Sequence, residues 1–246
     1  MSHKSIVRVA HRGASAQYPE NTLLAFRQAI EQGVDALEID IHCTADDELL
    51  VIHDSTLERT TNGSGSICDH SLQEIRKLDA GRGEQVPILT EVIQLAREAQ
   101  TRLCVEIKGA TDVEELEIAE GVVRTLEDAD FLSQAIVTSF SPKALLRAKA
   151  LNPEVSTMLD PSPQDGSLTP RQICAQALAA GANCLSYDFR FLTPQIAREC
   201  QLMGLALWPW DPDEADDIRQ VLMLGVHGII TNRPDMLNKV LHDSTF

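Results

Sequence analysis

Strand-like apolar segments and helix-period segments alternate along nearly all of this chain, and that alternation narrows the possible folds more than any other feature. Eight candidate strands stand at 6–10, 36–41, 102–108, 135–139, 156–159, 184–187, 205–208 and 228–231. Helical patterns lie between most of them, at 22–31, 89–99, 114–128, 143–150, 170–179, 194–203 and 214–224. Gly33, Gly181, Gly204 and Gly225 each close such a segment just before the next strand, where a helix end favours glycine. Alternation of this kind implies a parallel sheet. Eight units in 246 residues suit an α/β fold of the (β/α)8 TIM-barrel type, with a doubly wound open sheet as the alternative on pattern alone.

One stretch breaks the rhythm. Residues 45–50 read as a polar turn and 50–52 as a short return strand. Residues 54–85 are then rich in Ser, Thr, Gly and Asp, with one short helix near 72–78. This is expected to be a small insertion after the second strand, riding on the rim of a single domain that spans 1–246. Loops held by a rigid scaffold are where binding residues concentrate.

The second strand, ALEIDI, carries the clearest chemistry. Side chains alternate along a strand, so Leu37, Ile39 and Ile41 share one face and Glu38 and Asp40 the other. With the apolar set against a helix ring, the two acids point into the barrel. Two like charges buried together call for a cation, and oxygen ligands suit a hard divalent one. The competing reading is a pair of exposed acids on an edge strand. The third strand repeats the device: in RLCVEIKG, Glu106 and Lys108 share the inward parity, as functional groups or as a structural ion pair. The first strand ends in His11-Arg12-Gly13, and the return strand in His53-Asp54. Histidine carries protons near neutral pH, and arginine presents a fork of donors to phosphate oxygens. His42 shares the parity of Glu38 and Asp40 and is expected to border the same site.

Composition limits the partners. The formal charge of −16 excludes nucleic acid and an anionic bilayer as partners, since both need a basic footprint. An anionic substrate would then require positive charge local to the site. The polar opening MSHKS runs straight into a strand, and no apolar run reaches 18 residues, so neither a signal peptide nor membrane insertion is expected. The six cysteines are scattered, without metal-ligand spacing, and read as free thiols in a cytoplasmic protein.

Taken together, HRGASAQYPENTLLAF, ALEIDIHCTADDELLVIHD, LERTTNGSG, VPILTEVI and VEIKG resemble the glycerophosphodiester phosphodiesterase family, in its order and over nearly the whole chain. Weaker matches follow in VTSFSP, at 208–211 and in IITNRPD. The resemblance implies His11 and His53 as the acid/base pair. It also implies one Mg²⁺ or Ca²⁺ on Glu38, Asp40 and Glu106, phosphate binding by Arg12 and Lys108, and a supporting carboxylate at Glu20. The implied reaction converts a small-molecule glycerophosphodiester to sn-glycerol 3-phosphate and an alcohol. Its first step is attack of the glycerol 2-hydroxyl on phosphorus, and water then opens the cyclic phosphate.

Two departures stand out. Relatives often read Trp-Thr-Val-Asn where this chain has Trp208-Pro209-Trp210-Asp211, and Thr-Asp where it has Thr231-Asn232. Trp208 is expected to pack on substrate, although both tryptophans would serve equally as packing residues. Lysophospholipase D, a sphingomyelinase D-like enzyme, a non-catalytic phosphodiester-binding barrel and a phosphosugar isomerase or aldolase remain as rival readings. Nothing in the insertion supplies the long apolar stretch that acyl chains would need. Leaving alcohol and oligomeric state are not legible.

Overall fold

A computed structural model describes residues 6–161 and 168–243; the polar opening at 1–5, with His3, lies outside them. Eight parallel strands close into a barrel: β1 (Val7–His11), β2 (Ala36–Cys43), β4 (Arg102–Ile107), β5 (Ala135–Ser139), β6 (Ser156–Leu159), β7 (Cys184–Asp188), β8 (Ala206–Trp210) and β9 (Gly228–Thr231). Closure comes from β1, which pairs with both β2 and β9. The short β3 (Leu49–Val51) turns back antiparallel on β2, as the return strand was expected to do. Around the barrel lie α1 (Leu23–Glu31), α3 (Leu89–Glu98), α4 (Asp112–Asp128), α5 (Pro142–Leu151), α6 (Pro170–Ala179), α7 (Pro194–Met203), α8 (Ala215–Met223) and α9 (Pro234–Asp243). None of the described helices is long and apolar enough to cross a membrane.

Strand alternation sorts the apolar residues into two shells. Leu37, Ile39, Ile41, Leu103, Val105 and Ile107 point outward and join the large cluster formed with the helices. Val9, Ala36, Cys104, Met158, Cys184 and Ile230 fill the barrel interior. Each fully buried Leu or Ile contributes roughly 1.5–3 kcal/mol, so the outer shell dominates the fold's stability. Five helix starts are capped by side chains: Thr22, Thr111, Ser141, Thr169 and Thr193 each accept a hydrogen bond from a first-turn N–H.

The differences from the sequence reading lie at element ends. β1 runs one residue further, to His11, and β8 two further, to Trp210. Pro209 reads as a breaker but has no N–H to leave unpaired. It sits where the ladder to β9 is reduced to one registered pair, Trp210 with Ile230. The helix α9 was not among the predicted segments. Within 54–85 the predicted helix is only one turn long, α2 (Leu72–Ile75). The segment carries its own small core, in which Leu57, Ile67 and Ile75 pack on Leu50 and Ile52 of the hairpin.

Candidate active site

The register of the strands assembles the polar groups at their C-terminal ends. His11 stands opposite Glu38, Asp40 opposite Glu106, and Glu106 opposite Thr138. Glu38 and Asp40 are buried, and one oxygen from each of Glu38, Asp40 and Glu106 lies within 4.8 Å of the others. Burial, and then the charge of Asp40, push the Glu38 carboxyl up. Burial works against ionised Asp40 as well, but Lys108 and Arg12 overcome it and hold that carboxyl below its usual range. Lys108 Nζ is 2.7 Å from Glu106 Oε1 and 3.3 Å from Asp40 Oδ1. Asn21, which the sequence reading passed over, donates to Asp40 Oδ2 at 2.8 Å.

The turn after β1 is locally strained. Arg12 has φ 55°, a left-handed conformation uncommon for a non-glycine residue, and Gly13 has φ 82°. A Cβ on Gly13 would lie 2.7 Å from the Ala25 carbonyl carbon, so only glycine fits. This turn aims the Arg12 N–H at Glu38 Oε2 (3.0 Å) and brings Nε within 3.2 Å of Asp40 Oδ2.

Both predicted histidines line one cavity, and both are braced through Nδ1. His11 Nδ1 is 2.9 Å from Asn232 Oδ1. Asn232 gives its Nδ2 hydrogens to Asp213 Oδ2 (2.8 Å), so its oxygen is left to accept from His11. That network assigns the proton to Nδ1 and leaves Nε2, which lies 3.8 Å from Glu38 Oε2, for chemistry. Asp211 Oδ1 is also 2.8 Å from Nδ1. Burial by itself lowers the proton affinity of His11, but the Asp211 and Glu38 carboxylates outweigh it and raise the pKa to about 10. His53 Nδ1 bonds Asp54 Oδ1 at 2.7 Å. Hydrogen bonds from Arg59 hold the Asp54 carboxyl well below its usual range. Arg59 also grips Glu20, which bonds Arg12 at 3.0 Å. Glu20 thus links the two histidine-bearing turns and stands outside the carboxylate trio. His42 does not line the cavity; its Nε2 bonds the His53 carbonyl oxygen at 3.0 Å.

The cavity has a volume of about 170 Å³. His11, Arg12, Glu38, His53, Glu106 and Lys108 form one side. Thr138, Phe140, Asp160, Ser186 and Trp210 form most of the other, and Lys108 Nζ lies 5.5 Å from the Phe140 ring centroid. Trp208 is not part of the lining. It packs one layer below, where a Cβ on Gly228 would come within 2.9 Å of its ring. The sequence analysis named Asp211 and Asn232 only as departures from the family's motifs, and passed over Asp160, just past β6, and Arg59, in the irregular rim segment. Asp160 alone could have been found by parity, as it follows Met158 inward on β6.

The trio fits a divalent cation. All donors are carboxylate oxygens, and the buried Glu38 Oε1 has no hydrogen-bond partner. Three carboxylates converge there beside Arg12 and Lys108; a divalent ion would offset their charge and add the positive charge that an anionic substrate requires.

A model of the "Glycerophosphoryl diester phosphodiesterase family" matches residues 11–236. The chain is 36% identical over 236 residues to a glycerophosphodiester phosphodiesterase of Caldanaerobacter subterraneus, covering 93% of this chain and 95% of that one. It is 32% identical over 265 residues to a glycerophosphodiester phosphodiesterase of Bacillus subtilis, covering 98% and 88%. A phosphodiesterase of Oleispira antarctica, solved in complex with the product sn-glycerol-3-phosphate, is similar in structure. The TM-score is 0.88 at 26% identity, with 96% of each chain covered.

Proposed function

The chain belongs to the glycerophosphoryl diester phosphodiesterase family, and on that premise we propose that it hydrolyses glycerophosphodiesters to sn-glycerol 3-phosphate and an alcohol, using one Mg²⁺ or Ca²⁺. Glu38, Asp40 and Glu106 would hold the ion. The observation that carries this reading is the convergence of two braced histidines, two fixed cations and the carboxylates Glu38 and Glu106 on one cavity, with Asp40 completing the trio beside them. When bound, the ion supplies positive charge to the phosphoryl oxygens and acidifies a hydroxyl it contacts. Its donors, all oxygen, favour a hard cation over a thiophilic one.

Arg12 and Lys108 orient the phosphoryl group and stabilise charge that grows on its oxygens. With Nδ1 of each ring committed to Asn232 or Asp54, the two Nε2 atoms are left to move protons. One takes the proton of the attacking glycerol 2-hydroxyl while the other protonates the departing alcohol. The two exchange roles when water opens the cyclic phosphate. Aromatic contact with substrate falls to Trp210 and Phe140, and Trp208 keeps a packing role. One domain spanning 1–246 would carry all of this, with 54–85 as its rim insertion and source of the Arg59 brace. Six free cysteines are compatible with a reducing compartment such as the cytoplasm.

The test is release of sn-glycerol 3-phosphate from glycerophosphocholine, glycerophosphoethanolamine and glycerophosphoinositol, in EDTA and after return of Mg²⁺ or Ca²⁺. Metal-dependent product from at least one of these is expected. No product with either metal from any of them would overturn the proposal.

A further inference from the structure

We propose that Arg59 is a positioning residue for the hydrolysis: by gripping Glu20 and Asp54 together, it sets Arg12 and His53 at the spacing that the phosphodiester needs. The inference rests on the hydrolase reading above and gives the rim segment a part in the reaction.

No residue of 54–85 lines the cavity, so the segment can act there only through others. Arg59 stands in a well-seated turn. Leu57 is buried in the rim core, and the Thr61 N–H and hydroxyl both donate to the Leu57 carbonyl oxygen. From that turn the guanidinium reaches two acids at once. Nε and Nη2 donate to Asp54 at 2.6 and 2.8 Å, and Nη1 and Nη2 donate to Glu20 at 2.8 Å each. Each acid holds an active-site group in turn, Asp54 the His53 ring and Glu20 the Arg12 guanidinium. Arg12 then meets Asp40. A chain of alternating charge thus runs from Asp54 through Arg59, Glu20 and Arg12 to Asp40, and Arg59 is the link that joins the turn after β3 to the turn after β1.

Arg59 is itself half-exposed, and pairs at that depth contribute little to stability. What it contributes is geometry. Burial opposes ionised Glu20, but Arg59 and Arg12 overcome it and hold that carboxyl below its usual range. Without Arg59, two charged acids would face each other, and like charges repel. The turn after β1 is poised to yield, because Arg12 and Asn21 both sit at φ 55°, a conformation that persists only while its surroundings enforce it. A shift of about 1 Å in a group that orients substrate costs on the order of 10²-fold in rate. Lysine is a poor substitute: a point charge pairs one acid well, whereas the planar fork serves both. Arg82 separates this role from simple attachment of the rim. It donates to the Gln17 carbonyl oxygen at 2.8 Å and lies 5.0 Å from the Tyr18 ring centroid, so it holds the same turn by contacts outside the charged chain.

The test measures kcat, KM and thermal midpoint on glycerophosphocholine for the metal-loaded wild type and variants. Arg59→Ala is expected to lower kcat about 10–100-fold, with its midpoint within a few degrees of wild type. Arg82→Ala is expected to lose at least as much midpoint and yet keep kcat within about threefold. Adding Arg59→Ala to a Glu20→Ala, Asp54→Ala background should change kcat by less than about threefold, since the acids through which it acts are gone. Arg59→Lys should fall between wild type and Arg59→Ala, and it decides the matter if Arg59→Ala fails to fold. Wild-type kcat in Arg59→Ala or, failing that, in Arg59→Lys would overturn the inference. So would an equal loss from Arg59→Ala with and without the two acids, or a loss of kcat in Arg82→Ala as large as that in Arg59→Ala. A wild type inactive with every metal and head group would instead overturn the hydrolase reading, and this inference with it.

Discussion

The two layers inside the barrel are built from the same strands with the same parity, yet they have opposite characters. In the lower layer stand Val9, Ala36, Cys104, Met158 and Cys184. One step further along each strand come His11, Glu38, Glu106, Asp160 and Ser186. The lower set packs and needs nothing from outside. The upper set buries carboxylates beside one another, an arrangement that costs stability unless a cation or substrate answers it. The change from apolar to ionisable over two residues, repeated on neighbouring strands, marks where stability ends and chemistry begins. It lies at the C-terminal face, where barrels of this kind carry their sites.

Substitutions in the two layers should therefore separate activity from stability. The largest effect is expected at the histidines: His11→Ala and His53→Ala should each lower kcat by about 10²–10⁴-fold. His53→Ala should leave the thermal midpoint within a few degrees, as circular dichroism would record, whereas His11→Ala also removes the partner of Asp211 and Glu38 and should lower it. Near-wild-type turnover in either variant would sink the two-histidine mechanism. Trp208→Ala should do the reverse. It removes a packed ring from the lower layer at a cost of about 3 kcal/mol in denaturant unfolding, while kcat/KM of the folded enzyme changes little. Trp210→Ala should instead raise KM at a smaller stability cost. If Trp208→Ala raised KM and Trp210→Ala did not, the boundary between the layers would be one step lower than drawn here.

A smaller effect is expected from pH. The folded pKa values of His11 and Glu38 both lie above their unfolded values. Each such group contributes stability that is fully present below its unfolded pKa and lost as pH rises through the folded one. The metal-free protein should thus lose thermal stability between roughly pH 6 and pH 10, the span from an unfolded histidine to the raised His11. Added Mg²⁺ or Ca²⁺ should restore more stability at high pH than at low. A metal-free melting temperature that rises over that window would contradict the assignment of strain to the upper layer.

Much of this contrast was legible in the sequence because strand parity is a local rule. ALEIDI and RLCVEIKG state which residues face inward before any fold is known, and they gave Glu38, Asp40, Glu106 and Lys108. The return strand antiparallel to β2 was legible for the same reason. What could not be read were contacts made only by barrel closure. Asn232 and Asp211 reach His11 because β9 returns beside β1 with β8 next to it, more than 190 positions along the chain. The sequence singled out Trp208, but β8 extends through Pro209 and brings Trp210 rather than Trp208 to the cavity lining. Glu20 was singled out without its partner, since Arg59 comes from the rim segment with no periodicity to place it.

Metal binding by equilibrium calorimetry tests the central claim most directly, comparing the wild type with a variant carrying Glu38→Gln, Asp40→Asn and Glu106→Gln. The upper layer, if assembled around a cation, predicts one Mg²⁺ or Ca²⁺ per wild-type chain and no measurable binding in the variant, whose circular dichroism should match the wild type. Equal stoichiometry and affinity in the two proteins would mean that the carboxylate trio holds no metal, and the division between the layers would need another cause.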